Sequence, residues 1–202
     1  LDSADEREAV ADLVNDGVAY TGLFLLPGLV GAVVVGEHVL GIYGTEFRQG
    51  ALVMVILVIG RLIYAYEAQL TTTLNAINEP AAAFRVNLVF VLLNLGLNVG
   101  LVALYGWVGA AVGTTVSAAV GLIVAYRAVT ARLSVTIPAL EIGRQAVAAI
   151  IMGGGIYALE SVLVPSGPAS VFETLVLVGA GAGAYFVLLG AISSRFRTTL
   201  LD

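Results

Sequence analysis

Six long apolar stretches, separated by short polar or turn-forming segments, dominate this sequence. They are predicted to cover residues 18–35, 51–74, 84–104, 108–129, 145–164 and 171–192. Each stretch is continuous rather than alternating, and each approaches the roughly 20 residues that a helix needs to cross a hydrocarbon core about 30 Å thick. We therefore expect an all-α membrane protein, a polytopic bundle of about six transmembrane helices.

The composition agrees with lipid as the solvent. Of the 202 residues, 59% are hydrophobic and 11% are charged, whereas soluble domains are about 45–50% apolar and about 25% charged. The formal net charge is -5, and every basic residue is an arginine. Because nucleic-acid binding requires a basic patch, this acidic balance argues against a nucleic-acid partner.

Acidic residues are concentrated ahead of the first apolar stretch. They are Asp2, Asp5, Glu6, Glu8, Asp12 and Asp16. We predict an acidic cytoplasmic N-terminal segment over residues 1–13, a six-helix transmembrane lobe over residues 14–197 and a C-terminal tail over residues 198–202. Because Leu1 opens a charged stretch, we expect a further N-terminal part before it, with trimming of the sequence as the alternative.

Arginine placement predicts the orientation of the spans. If six spans alternate, one side of the membrane receives Arg7, Arg85, Arg127, Arg132, Arg144, Arg195 and Arg197. The opposite side receives Arg48 alone. Since basic residues favour the cytoplasmic side, we predict a multi-pass protein of the cell membrane with both termini in the cytoplasm.

The second apolar stretch carries an arginine near its middle. Arg61 lies about 15 Å into a helix that begins at Ala51, near mid-bilayer. A guanidinium there costs at least about 2.5–3.5 kcal/mol, so it is expected to face a bundle interior or a water-filled cavity. One interpretation is contact with an anionic group, such as a phosphate crossing the membrane. The other is a structural ion pair with a carboxylate on another helix.

Tyr64 and Glu67 follow Arg61 on the same predicted helix. The spacing rotates Glu67 about 120° away from Arg61, so the two are not a direct i,i+4 pair. Tyr64 lies three residues from each and could link them. We favour a structural role for Glu67, closer to the membrane interface, over a functional one.

Three asparagines recur on the third stretch. Asn87, Asn94 and Asn98 are spaced by seven and four residues, which places them on one helix face. They would either line a cavity that meets a polar substrate or donate hydrogen bonds between helices, and we favour the hydrogen bonds. The candidate substrate-binding set consists of Arg61, Tyr64, Glu67, Asn87, Asn94 and Asn98.

Small residues at four-residue spacing let membrane helices approach closely. Gly109 and Gly113 open the fourth stretch, and Gly179 and Gly183 lie in the sixth. We predict that both pairs face a neighbouring helix. Residues 105–107, Tyr-Gly-Trp, predict a tight turn with two aromatic rings suited to a membrane interface.

No set of residues in the chain indicates catalysis. His38 is the sole histidine, and a lone histidine without a second ligand is expected to be solvated rather than a metal ligand. Cysteine is absent, which excludes a thiolate metal site and a cysteine nucleophile. We expect no enzyme activity, no metal and no cofactor.

Four segments carry a resemblance to a known family. Residues 87–98 read NLVFVLLNLGLN and residues 105–114 read YGWVGAAVGT. Residues 39–47, VLGIYGTEF, are similar to the loop after the seventh helix of that family, and residues 137–140, IPAL, also fit. The chain resembles the C-terminal domain of O-antigen-type polysaccharide biosynthesis flippases. These belong to the multidrug/oligosaccharidyl-lipid/polysaccharide exporter superfamily, which includes the MATE antiporters.

The resemblance implies one lobe of a two-lobed, MATE-like transporter whose lobes face each other across a cavity. The implied substrate is a lipid-linked oligosaccharide or polysaccharide precursor, and Arg61 would meet its phosphate. The implied partners are membrane lipid and an N-terminal six-helix lobe, with no nucleic acid. Two alternatives stay open: a cation-coupled multidrug exporter of the MATE type, with Glu67 as the coupling carboxylate, and a membrane packing subunit without a substrate.

Overall fold

The computed structural model describes residues 4–164, 169–193 and 196–197, with side chains from Val10 onward, and this part of the chain is helical. Its elements are α1 (Ala4–Thr21), α2 (Leu25–Gly41), a 3₁₀ helix (Thr45–Gly50), α3 (Ala51–Ala76), α4 (Pro80–Thr130), α5 (Ala139–Leu163) and α6 (Val171–Ile192). Five segments within the described residues are long and apolar enough to cross a membrane: Val10–Gly41, Thr45–Ala76, Pro80–Thr130, Ala139–Leu163 and Val171–Ile192. The expected all-α membrane fold is confirmed.

α4 consists of two helical arms that fold back on each other at Gly106. That residue has φ 58° and ψ -137°, a conformation that glycine adopts without the penalty of a side chain. Asn94 of the first arm donates a hydrogen bond to Thr114 of the second, and Gly109 lies against the Leu101 carbonyl. The 51 residues therefore form an antiparallel hairpin that supplies two spans instead of one. With the two arms counted separately, the five apolar segments of the described residues become the six that were predicted, and the tight turn lies at residues 105–107 as expected.

The chain divides into two compact units. Unit 1 comprises Leu1–Gly22 and Ile56–Pro138, and unit 2 comprises Leu23–Val55 and Ala139–Asp202. The chain passes between the units three times. α3 begins in unit 2 with its first five residues and continues without interruption into unit 1. All six candidate site residues belong to unit 1.

Unit 1 includes helix α1 as well as the hairpin. Gly17 of α1 lies against the side chain of Gln69 on α3. Asn15 accepts a hydrogen bond from the backbone N–H of Thr136, at 3.1 Å. Residues 4–13 of the predicted acidic segment form the first part of α1, whereas residues 1–3 and the predicted tail at 198–202 lie outside the described residues. Among the side chains of α1 that the structure describes, the buried ones are Ala11, Val14, Val18 and Ala19.

Unit 2 has an apolar core built by α2, α5 and α6. Gly181 of α6 lies against Ile156 of α5, whereas no described atom of another helix lies within 4 Å of a Cβ built on Gly179 or Gly183. The prediction that Gly179 and Gly183 face a neighbouring helix is therefore wrong, because the residue between them lies on the contact face. The core comprises Val35, Ala148, Ala149, Met152, Ile156, Leu177, Tyr185, Leu189 and Phe196.

The first predicted span, at residues 18–35, lies within the apolar segment Val10–Gly41 but crosses a break between two helices. α1 ends at Thr21, a turn follows, and α2 begins at Leu25. Pro27 lies in the first turn of α2, where its missing N–H removes no intrahelical hydrogen bond. The residues on both sides of this break are apolar, so the hydropathy of the sequence does not reveal it. The other five predicted stretches lie on α3, the two arms of α4, α5 and α6.

Candidate functional site

The candidate site lies where α3 passes the second arm of the α4 hairpin. Gly60 is buried against Thr115, and a Cβ at Gly60 would lie only 2.7 Å from the Thr115 hydroxyl oxygen. That hydroxyl lies within hydrogen-bonding distance of the carbonyl oxygens of Ile56, at 3.0 Å, and Ala111, at 2.9 Å. This close approach fixes the register of α3 against the hairpin. Arg61 is the next residue along α3.

Arg61 is exposed on the surface of unit 1. Its Cζ atom lies 5.4 Å from the centroid of the Tyr64 ring, which is the geometry of a cation–π contact. Three other arginines form ion pairs among the described residues: Arg48, Arg132 and Arg144. Among the carboxylates whose side chains the structure describes, none pairs with Arg61. The guanidinium therefore keeps its N–H donors for another acceptor.

Phe90 is the second partner of Tyr64. The two ring centroids are 5.6 Å apart, with an interplanar angle of 47°. Phe90 lies on the first arm of α4, so this contact joins α3 to the hairpin. Tyr64 was expected to link Arg61 with Glu67; the structure gives it Phe90 in place of the carboxylate.

Glu67 is buried inside unit 1, with only 1% of its surface exposed. The Thr71 hydroxyl donates a hydrogen bond to Glu67 Oε1 at 2.9 Å. Gly121 of the second arm leaves room for the acid, because a Cβ there would lie 3.4 Å from Glu67 Cγ. No described basic side chain forms an ion pair with this carboxylate. Glu67 is thus enclosed by protein.

The three predicted asparagines have different surroundings. Asn94 Nδ2 donates to the Thr114 hydroxyl across the hairpin at 3.3 Å. Asn98 Nδ2 donates to the Asn94 carbonyl, one turn back along the same arm, at 2.8 Å. Asn87 is exposed. Two of the three therefore contribute to hairpin structure, and Asn87 remains accessible to a ligand.

The structure brings some of the predicted residues together and separates others. Arg61 and Tyr64 are in contact, and Asn94 bonds to Asn98, whereas Glu67 is enclosed separately. Sequence reasoning did not find Phe90 or Gly121. Neither carried a signal, since an aromatic ring and a glycine are ordinary in an apolar stretch, and their role follows from how the hairpin meets α3.

A second polar pair lies in unit 2, apart from the candidate site. His38 Nε2 of α2 lies 2.6 Å from Glu160 Oε1 of α5, and the two side chains are 9% and 23% exposed. The expectation that His38 is solvated is therefore wrong, because α5 brings a carboxylate to it from far along the chain. No cluster of three or more potential metal ligands occurs among the described residues.

Comparison with known proteins identifies relatives of this chain. No family model matches the sequence. The probable flippase AglR of Haloferax volcanii is 32% identical over 200 residues, which is 98% of this chain and 41% of that protein. The probable low-salt glycan biosynthesis flippase Agl15 of the same organism is 28% identical over 162 residues, 80% of this chain and 34% of that protein. Along nearly its whole length the chain is therefore similar to part of a probable flippase.

The fold of the chain also has a counterpart among solved structures. The lipid II flippase MurJ, in an inward closed conformation, matches with a TM-score of 0.78 at 17% sequence identity. The match covers 98% of this chain and 41% of MurJ. The chain thus spans about two fifths of the length of AglR and of MurJ. The family resemblance drawn from residues 87–98 and 105–114 is confirmed.

Proposed function

We propose that this chain is the C-terminal part of a transporter that moves a lipid-linked oligosaccharide or polysaccharide precursor across the cell membrane. The observation that carries the proposal is its similarity to the probable flippase AglR along 98% of the chain. Because the chain spans about two fifths of AglR, transport would require the remainder of a longer protein. A six-helix N-terminal lobe is the partner we propose for it.

Arg61 is the proposed contact for the anionic part of the substrate. It lies about 15 Å along α3 from Ala51, deep in the span, and none of the described carboxylates neutralises it. An arginine at that depth is expected to border a water-filled cavity rather than lipid. Its planar donors suit a phosphate oxygen, and Asn87 is an exposed polar side chain on the hairpin. Rocking of two lobes around this site would expose it to each side in turn.

The proposed orientation places both termini in the cytoplasm. Arg85, Arg127, Arg132 and Arg144 would then lie on the cytoplasmic side, as basic residues prefer. A lipid-linked saccharide assembled in the cytoplasm would enter from this side and leave through the outer leaflet.

Replacing Arg61 with glutamine tests the proposed function. The experiment reconstitutes the full-length protein into liposomes and measures movement of a fluorescent short-chain polyprenyl phosphate bearing one hexose. We expect translocation at limiting substrate to fall about tenfold, because a hydrogen bond to a charged group contributes about 1.5–3 kcal/mol. Arg127→Gln is the matched control, since Arg127 is also exposed but lies at the end of α4. Equal translocation by the two variants would contradict the proposed role of Arg61.

One observation favours a second candidate function, cation-coupled export of the MATE type. Glu67 is a buried carboxylate whose described hydrogen bond comes from Thr71 alone, and such a group suits binding of a proton or a metal cation. Glu67→Gln keeps the oxygen that accepts from Thr71 but removes the charge. Loss of proton- or sodium-driven drug efflux in this variant, with saccharide translocation intact, would support the exporter. A protein in which neither Arg61→Gln nor Glu67→Gln alters any transport would be a packing subunit.

A further inference from the structure

Phe90 reaches the candidate site from a different helix. Its ring centroid lies 5.6 Å from that of Tyr64, and Tyr64 in turn holds the guanidinium of Arg61 over its own ring at 5.4 Å. A continuous series of contacts therefore runs from the first arm of α4, through Tyr64, to Arg61. No sequence pattern predicts that Phe90 contacts Tyr64.

Packing restricts the positions that Phe90 can take. Phe90 is half-buried, and the second arm approaches it at Gly121, where a Cβ would lie 3.7 Å from Phe90 Cβ. Phe90 therefore contacts Tyr64 of α3 through its ring and the second arm of the hairpin near its Cβ. Side chains whose rotamers are fixed by packing in this way hold the groups in contact with them in a defined geometry.

We propose that Phe90 is a positioning residue for Arg61 and acts through Tyr64. A free arginine side chain samples many rotamers, and binding a phosphate must restrict them. Contact with a fixed Tyr64 ring restricts the guanidinium before the ligand arrives, so less conformational freedom is lost on binding. This inference rests on the proposed function, because it takes Arg61 as the contact for the phosphate.

The test compares kinetics of variants of the full-length protein in liposomes, with the fluorescent polyprenyl phosphate hexose as substrate. Phe90→Leu keeps apolar bulk but removes the ring. We expect it to raise the apparent KM about two- to fivefold, the range of an exposed cation–π contact, and to leave the maximal rate within about twofold. Phe90→Tyr retains the ring and should restore the original KM. Phe84→Leu is the matched control, because Phe84 lies on the same arm and is 64% exposed, and it should change neither quantity.

A double substitution separates positioning from a purely structural role. In an Arg61→Gln background, Phe90→Leu should raise the KM no further, because the group that it positions is gone. If Arg61→Gln impairs transport but Phe90→Leu leaves the KM unchanged, the positioning role is overturned and the proposed function stands. An equal effect of Phe90→Leu in both backgrounds overturns it as well. Unchanged transport by Arg61→Gln would overturn both the proposed function of Arg61 and this inference.

Membrane insertion is checked by the amount of each variant in the membrane and by its elution as a single species in detergent. If Phe90→Leu fails this check, Tyr64→Leu replaces it, because removing the intermediate ring should break the same series of contacts. A Tyr64→Leu protein that inserts normally and keeps its KM would overturn the inference.

Discussion

Three ionisable side chains within the described spans of this protein are accommodated in different ways. Arg61 is exposed and held over the Tyr64 ring, Glu67 is enclosed with a hydrogen bond from Thr71, and His38 is paired with Glu160. Only the last arrangement brings two ionisable groups together across helices. The first leaves a cation available to a ligand, which is why Arg61 carries the proposed function.

At the residue scale, the His38–Glu160 pair is predicted to stabilise unit 2. Glu160→Ala would leave Nε2 of His38 without its partner, and Nδ1 of that ring is already buried without a hydrogen bond to any described group. We expect the free energy of unfolding to fall by about 1–3 kcal/mol, the cost of leaving a buried polar group unsatisfied. The measurement is thermal unfolding in detergent.

The matched control for this pair is Glu37→Ala. Glu37 pairs with Arg48 at 3.5 Å, but its side chain is 64% exposed, and pairs of this kind contribute about 0–1 kcal/mol. Equal losses of stability for the two alanine variants would show that burial adds nothing to the His38–Glu160 interaction.

At the scale of the elements, the α4 hairpin depends on glycines that let its arms meet. Gly109→Ala would place a methyl group against the backbone carbonyl of Leu101, which cannot rotate away as a side chain can. We expect a loss of at least about 1–3 kcal/mol from overpacking, seen as a lower unfolding temperature and a lower yield of inserted protein. Gly100→Ala on the same hairpin should be tolerated, since no described atom of another element lies within 4 Å of its Cβ position. A tolerated Gly109→Ala would contradict the hairpin geometry.

The sequence predicts these elements better than it predicts their contacts. Continuous apolar stretches and the Tyr-Gly-Trp turn at 105–107 are local signals, and both are found in the structure. Gly181, rather than Gly179 or Gly183, contacts α5 because of how α6 is rotated about its axis. A four-residue spacing in the sequence does not determine that rotation. The contact of Phe90 with Tyr64 likewise depends on the register between two helices that are distant in sequence.

At the scale of the whole molecule, six alternating spans predict a definite labelling pattern. The chain contains no cysteine, so a single introduced cysteine is the one thiol in it that the reagent can modify. Gln49→Cys in the 3₁₀ helix and Ser134→Cys after α4 are both at exposed positions. We expect a membrane-impermeant thiol reagent added to intact cells to modify Gln49→Cys but not Ser134→Cys, and to modify both after lysis. If Pro80–Thr130 crossed the membrane only once, both sites would lie on the outer side and both would react in intact cells.

The turn at Gly106 also has a consequence for how this protein is made. Between Arg85 and Arg127 the chain carries no ionisable acid or base other than tyrosine, and the turn itself contains no polar domain that must be carried to the far side. The insertion machinery at the ribosome would therefore receive two apolar helices whose connecting turn has very few polar groups to translocate. We expect the pair to enter the bilayer together, as a single biosynthetic step, rather than one arm after the other.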